Sequence, residues 1–293
     1  MPKEFARAKL TSMLEHFAVT GRQSESFHTT PLTPAKKLPE SAPALVVAAH
    51  PDDEVIGLGY CLFSLRPVKI VHLTDGAPYD MRDALVWGFS SREEYARARH
   101  TELEQVCSLL RLAPDTLSGM WFPDQTLSWH LKDAAELLVN CFREIDPAVV
   151  ITHAYEGGHP DHDAAAFAVR AALRLMNSAS VHLEFASYNR IGGVHRWLTY
   201  LPQPAGECCA IPISEEGRIR KQMLLNCFQT QQRTLQGIPL DWEYLRVAPA
   251  YRFTQPPHPG KLNYEYYPWG LTGDQFCRLA SDALRTLNLS DGD

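Results

Sequence analysis

The sequence predicts an α/β fold: a Rossmann-like, mostly parallel sheet flanked by helices, followed by a less regular C-terminal part. Three observations carry this. A short continuous apolar run at 44–49 has the pattern of a strand buried on both faces, VKIVHLT (68–74) reads as a second strand and AVVITH (148–153) as another buried one. Segments with helical spacing lie between them, in βαβα order. Polar clusters follow the apolar runs, where open α/β sheets bind ligands beyond the carboxyl ends of their strands.

In chain order, residues 4–17 have helical spacing, with Phe5, Leu10, Met13, Leu14 and Phe17 apolar. A Ser-, Thr- and Pro-rich stretch follows and reads as a linker. Residues 1–43 are therefore expected to stand apart from a domain over 44–293. Within that domain ALVVAA (44–49) reads as a strand, 55–65 as a helix and VKIVHLT (68–74) as a second strand. Residues 91–112 form a long helix opened by Ser91 and Glu94 as a capping box. SGMWF (118–122) is a short strand, and 128–145 a helix ended by Asp146-Pro147. AVVITH (148–153) is a buried strand, 161–176 a helix and 181–188 a strand. Beyond about 190 the pattern loosens into a helix at 214–231, a Pro- and aromatic-rich loop at 256–270 and a helix at 272–287.

Bulk properties narrow the function. The 293 residues are 45% apolar and 21% charged, as in ordinary globular proteins. The net charge of -6 argues against a nucleic-acid partner, since phosphate binding wants a basic surface. No apolar run approaches the roughly 20 residues that span a bilayer. Seven cysteines without a C-x-x-C fit a reducing compartment, so a cytoplasmic protein acting on a small molecule is expected.

Two clusters carry the chemistry. HPDDE (50–54) follows the first strand, and THAYEGGHPDHD (152–163) follows the strand at 148–153. Zinc takes imidazole nitrogen and carboxylate oxygen, and a catalytic zinc keeps one position open beyond three protein ligands. His50 and Asp53, three apart at a strand-to-helix turn, supply two ligands, and His162 supplies the third from the other strand. Two histidines and a carboxylate suit Zn2+, with Fe2+ as the alternative. Asp52 and His159 are then left over. Asp52 is placed to take a proton from water, and His159 to bind an oxyanion or protonate a leaving amine. Glu54 is either a first-turn helix acid or a group that orients His50.

AHPDDE followed about a hundred residues later by GGHPDHDA resembles the PIG-L / LmbE-like family of zinc-dependent N-deacetylases. TDGAP, ARHTEL, FPDQTL, DPAVVITH and KQMLLNCFQTQ match further family segments, so that the resemblance covers roughly 44–231. It implies zinc on His50, Asp53 and His162, Asp52 as general base and His159 as the histidine assisting the transition state. It also implies substrate contact by Arg99. Some members carry a tyrosine shortly before the second motif's first histidine. Here Gly157 stands two before His159, and the nearest candidate is Tyr155. Asp75, at a strand end before Gly76, divides between a turn role and the site. For Arg99 the competing reading is a solvated ion pair with Glu94 or Glu102.

The expected activity is hydrolysis of an acetyl or other acyl group from an amide nitrogen, on an N-acetylglucosamine-like sugar or glycoconjugate. One alternative is an amidase acting on a non-sugar or thiol-conjugate amide. Another, of a different class, is a non-catalytic metal- or sugar-binding module. Substrate choice is expected in the loops at 76–92 and 189–207. The aromatic loop with Tyr264, Tyr266, Tyr267 and Trp269 reads first as packing, with stacking on a sugar as its competitor.

Overall fold

The computed structural model describes residues 43–202 and 208–292. The expected helix at 4–17 and the linker after it lie outside the described residues. In chain order the elements are β1 (Ala44–Ala48), α1 (Asp53–Leu58), β2 (Val68–Pro78), α2 (Arg82–Val86), α3 (Arg92–Leu109), β3 (Leu117–Asp124), α4 (Leu131–Ile145), β4 (Val149–His153) and α5 (Pro160–Leu175). There follow β5 (Val181–Phe185), β6 (Tyr188–Ile191), β7 (Val194–Trp197), β8 (Cys208–Pro212), α6 (Glu215–Leu225), α7 (Gln232–Leu235), β9 (Trp242–Val247) and α8 (Gly273–Thr286).

The sheet runs β3-β2-β1-β4-β5-β9-β8, and β6 and β7 pair as a separate hairpin. The first five strands are parallel. β9 and β8 add to the β5 edge in antiparallel sense. This is an α/β fold with a mostly parallel central sheet, as expected. Of the antiparallel edge, the sequence suggests a strand only at Cys208-Cys209, which opens β8; β9 and the antiparallel sense were not expected.

Alternation along β1 shows why its run is unbroken. Leu45, Val47 and Ala49 enter one core with α4, α5 and α8, whereas Ala44 and Val46 enter the other with α1, α3 and α6. A strand buried on both faces has no polar face to show. Helix α4 has the opposite signature: Leu131, Ala134, Ala135, Leu138, Val139 and Phe142 are buried on one stripe, while Leu137 is exposed. Each fully buried Leu or Phe contributes roughly 1.5–3 kcal/mol. The helix stops at Asp146, which turns left-handed (φ 47°) ahead of Pro147.

The cap of α3 forms with one change. Ser91 Oγ accepts the Glu94 amide (3.2 Å), but the Glu94 carboxylate accepts the Ser90 amide, one residue earlier than a capping box requires. Among the described residues no helix is long and apolar enough to cross a membrane.

Strand order reverses between β1 and β4: from β1 the chain moves outward to β2 and β3, then returns to β4 on the other side. The carboxyl ends of two neighbouring strands therefore open onto one crevice, the usual ligand position in such sheets.

Candidate metal and catalytic site

β1 leads into His50, and β4 leads through 154–158 to His159 at the N-cap of α5. Two glycines let the second approach happen. Gly157 has φ +68°, and a Cβ on Gly158 would sit 2.1 Å from the Tyr188 carbonyl oxygen, so only glycine fits between this loop and β6. Asp163 Oδ1 holds the loop by accepting the amides of Glu156 (3.1 Å) and Gly157 (3.0 Å).

Three adjacent acids would repel if their side chains shared a direction. They do not, because Asp52 takes φ 133°, ψ -28°, a strained conformation for a residue with a Cβ. Asp52 Oδ2 meets Arg99 Nη2 at 3.1 Å. Asp53 turns toward the histidines, and Glu54 Oε2 meets His72 Nε2 at 2.8 Å and accepts the Asp52 amide at 3.2 Å. Each carboxylate thus has its own partners, and all three are buried.

Asp53 sits at the centre. Its Oδ2 accepts the His50 amide (2.8 Å) and lies 3.0 Å from His50 Nδ1, while its Oδ1 lies 3.1 Å from His162 Nε2. Burial pushes its pKa up, but His162, His153 and His50 outweigh that and hold it well below the carboxylate range. The other nitrogen of His50, Nε2, faces Asp124 Oδ1 (3.0 Å) and Asp161 Oδ2 (3.2 Å). Burial opposes charge on His50, yet Asp124 and Asp53 raise its pKa well above the usual value.

His153 and His162 stack at 4.0 Å, but their nitrogens are used differently. His153 Nε2 accepts the Ala49 amide (3.0 Å), so its lone pair is taken. His162 Nδ1 is 3.5 Å from Ser187 Oγ, and Nε2 is buried without a hydrogen bond. Burial lowers the His162 pKa to about 4, keeping the ring neutral. His159 Nδ1 accepts the Asp161 amide (3.1 Å), which puts the proton of the neutral ring on Nε2, the atom facing Asp124 Oδ1 at 3.9 Å. Burial, then His50, hold its pKa well below the usual histidine value.

The donor set fits a divalent cation. Ligand atoms of His50, His159 and His162 lie within 4.8 Å of one another, as do those of Asp53, His153 and His162. The unbonded His162 Nε2 beside Asp53 Oδ1 is the spacing of two atoms sharing one ion, since zinc ligands at about 2.0–2.1 Å in tetrahedral array lie roughly 3.3 Å apart.

The remaining expected residues divide. Arg99 is buried rather than a solvated ion pair, and also donates to the carbonyl oxygens of Gly76 (3.1 Å) and Pro51. Glu54 stands in the first turn of α1, as the first of its two readings has it, and bonds His72 and the Asp52 amide rather than His50. Asp75 is held by Arg92 (2.6 and 2.7 Å) and accepts the Ala77 amide, as a turn residue does. Tyr155 is not brought to the cluster. Its hydroxyl donates to the Gln255 carbonyl (2.9 Å), and its ring packs on Tyr251, Phe253 and Phe276. Asp124 and Asp161 were not expected at the site. Asp161 also accepts the amides of Gln125 (2.6 Å) and Leu127 (3.0 Å), tying the end of β3 to the start of α5. The signal for Asp124 was its place after a strand end in FPDQTL.

An open α/β sheet with a buried His/Asp cluster at its switch point defines the class. Solved deacetylases share the fold: a deacetylase of the teicoplanin biosynthesis pathway (TM-score 0.56, 19% identity, 70% of this chain and 97% of that one) and the A40926 pseudoaglycone deacetylase (TM-score 0.55, 22% identity, 70% and 96%). Residues 45–173 match the PIG-L family model, described as GlcNAc-PI de-N-acetylase. Curated relatives include a probable N-acetyl-alpha-D-glucosaminyl L-malate deacetylase 2 of Bacillus anthracis (33% identical over 141 residues, 44% of this chain and 58% of the relative). Another is a 1D-myo-inositol 2-acetamido-2-deoxy-alpha-D-glucopyranoside deacetylase 1 of Frankia casuarinae (30% over 140 residues, 40% and 46%). The chain spans about half the length of the curated relatives it matches.

Proposed function

We propose that this chain is a zinc-dependent hydrolase that removes the acetyl group from the nitrogen of a 2-acetamido sugar in a small glycoside. The observation that carries the reading is the division of labour around Asp53. Its two oxygens address His50 and His162, while Asp52 is held apart by Arg99, and His159 is held with Nε2–H toward Asp124. A mere binding site has no use for the last two. The family match and the named activities of its relatives support the same reaction. The unit is residues 44–293, with the part beyond about 190 on the substrate side. Seven unpaired cysteines support a reducing, cytoplasmic setting.

His50, Asp53 and His162 would hold the ion. When bound, it supplies Lewis-acid polarisation of the amide carbonyl and lowers the pKa of water. Asp52 accepts a proton from the attacking water through its carboxylate, which Arg99 keeps oriented. His159 donates a hydrogen bond from Nε2 to the carbonyl oxygen as charge gathers there. A carbon–oxygen bond forms and the carbon–nitrogen bond breaks. The proton taken by Asp52 passes to the departing nitrogen, leaving acetate and a free amine.

The test measures zinc content and acetate release from methyl N-acetylglucosaminide together. Asp52→Asn should retain zinc and lose turnover by about 10²–10⁴-fold, the usual worth of a general base. His162→Ala should lose both the ion and turnover. Near-normal turnover by Asp52→Asn with zinc bound would remove Asp52 from its role. Zinc binding without hydrolysis of any amide would favour the binding-module alternative.

A further inference from the structure

Asp52, the proton acceptor of the proposed reaction, is held at both ends. Arg99 meets its carboxylate, and Glu54 Oε2 accepts its amide (3.2 Å). The second hold matters because Asp52 sits at φ 133°, a conformation that persists only where the surroundings fix it. The proposed chemistry does not account for what stands behind Glu54.

His72 Nε2 lies 2.8 Å from the same Oε2 atom. Strand β2 brings it there, since His72 pairs with Ala48 of β1, just ahead of the turn. A carboxylate only accepts, so Oε2 receives two donors, the Asp52 amide and His72 Nε2–H. Glu54 and His72 are both fully buried, and their remaining polar atoms, Glu54 Oε1 and His72 Nδ1, have no hydrogen bond among the described residues. Orphaned polar atoms in a dry interior destabilise, and a pair of apolar side chains would pack there without that cost. Stability therefore does not explain the pair.

The next strand is shaped around it. Opposite His72 on β3 stands Gly119, and the register shifts just beyond. A Cβ on Gly119 would lie 2.4 Å from the indole of Trp121. Trp121 turns at φ 56° and sets that indole parallel to the His72 ring (8°, centroids 6.5 Å apart). Two residues at positive φ, Asp52 and Trp121, thus flank one buried histidine–carboxylate pair, an arrangement that local sequence preference does not supply.

We propose that His72 and Glu54 are positioning residues for Asp52: His72 fixes the Glu54 carboxylate, and Glu54 fixes the amide of the strained turn, which aims the base. The assignment rests on the reading of Asp52 as general base. It goes beyond that reading by adding a histidine that acts only through other residues.

The experiment measures kcat, KM and zinc content of the full chain with methyl N-acetylglucosaminide. His72→Phe keeps a ring and removes the donor. It should lower kcat by about 10–100-fold, the usual worth of a residue that orients a reactive group from behind, with KM within about twofold and zinc content unchanged. His72→Gln places an amide nitrogen near the position of Nε2 and should restore kcat to within about threefold of the parent. Glu54→Asp keeps the charge but shortens the reach, and should lower kcat as His72→Phe does, whether or not the latter folds. In an Asp52→Asn background, His72→Phe should change the residual turnover by less than about twofold, whereas independent structural damage would multiply the two losses. The proposal falls if His72→Phe and Glu54→Asp keep the parental kcat, if glutamine fails to restore what phenylalanine removes, or if the losses multiply. Near-normal turnover by zinc-loaded Asp52→Asn would overturn the base reading and the pair with it. Lost turnover in Asp52→Asn beside parental kcat in the His72 and Glu54 variants overturns the pair alone.

Discussion

Residues 43–175 and 176–292 do different work in one molecule. The first region is parallel sheet and crossover helices, and every group of the proposed chemistry stands on it. The second supplies the antiparallel edge β9–β8, the β6–β7 hairpin and the aromatic loop, and encloses most of a cavity of about 510 Å3 beside the histidines. Reactive groups come from short segments at two strand ends, while the cavity is assembled from residues far apart in sequence. Variants in the first region should therefore alter catalysis, and those in the second should alter substrate preference.

The sharpest way to break that division is a buried ion pair in the second region. Lys221 Nζ, from α6, donates to the Ile56 carbonyl (2.8 Å) and Glu243 Oε1 (2.8 Å), and both side chains are fully buried. Glu243 also accepts the amides of Tyr60 (2.7 Å) and Cys61 (3.0 Å). The second region therefore clamps the end of α1, the six-residue helix that begins at Asp53. Removing one partner of a buried pair costs about 3–5 kcal/mol. Glu243→Leu should be the worse of the two singles, because it strands Lys221 and two amides, each unpaired amide costing about 1–3 kcal/mol. Lys221→Met leaves Glu243 its amide donors. Denaturant unfolding of both variants and the double checks the order. The double should recover only part of the loss, since hydrophobic replacement offsets the charge and not the amides. Equal destabilisation by the two singles would deny Glu243 its clamping role.

The same contrast decides what could be read from the sequence. His50, Asp52, Asp53, His159 and His162 were legible because clustered acids and histidines directly after a strand end serve little in folding alone, and the family resemblance reinforced their assignment. β1 and β4 were legible from their apolar runs, and β2, β3 and β5 from short segments placed between helical stretches. Of the two readings of Glu54, the first-turn acid of α1 matches its place in the structure, whereas its partner His72 was not legible, because nothing in HPDDE announces φ 133° at Asp52. Tyr155 was misleading for a similar reason: sequence proximity to His159 does not fix which side of the sheet receives the ring. Asp124 reaches His50 across 74 positions, through the pairing of β3 with β2 and β2 with β1. The aromatic loop proved divided, with Tyr264 buried and Tyr266 and Tyr267 exposed. No periodicity marks such a split.

A smaller effect lies within the first region, at the strained turn. Asp52→Gly and Asp52→Ala remove the same carboxylate and leave Arg99 equally short of a partner, so their difference isolates backbone strain. Glycine should be the more stable by about 1–3 kcal/mol, read as a higher unfolding midpoint, with both variants equally inactive. Equal midpoints would mean that the turn relaxes without strain. A stable, inactive glycine variant would indicate that the conformation serves the placement of Asp52 at a cost in stability.

The smallest effect separates stability from catalysis on α3. This helix carries Arg99, the buried partner of Asp52, and starts at the Ser91 cap. Ser91→Ala orphans the Glu94 amide and should cost about 1 kcal/mol. Arg99 lies eight residues beyond the cap, more than two turns into the helix, and is fixed by the Gly76 and Pro51 carbonyl oxygens as well as by Asp52. Fraying of the first turn should therefore not reach it. The unfolding midpoint should fall while kcat stays within about twofold of the parent, since end effects fade within the first turn. A marked fall in kcat would mean that the placement of Asp52 depends on the whole of α3, and that the chemical region is less locally determined than its two motifs suggest.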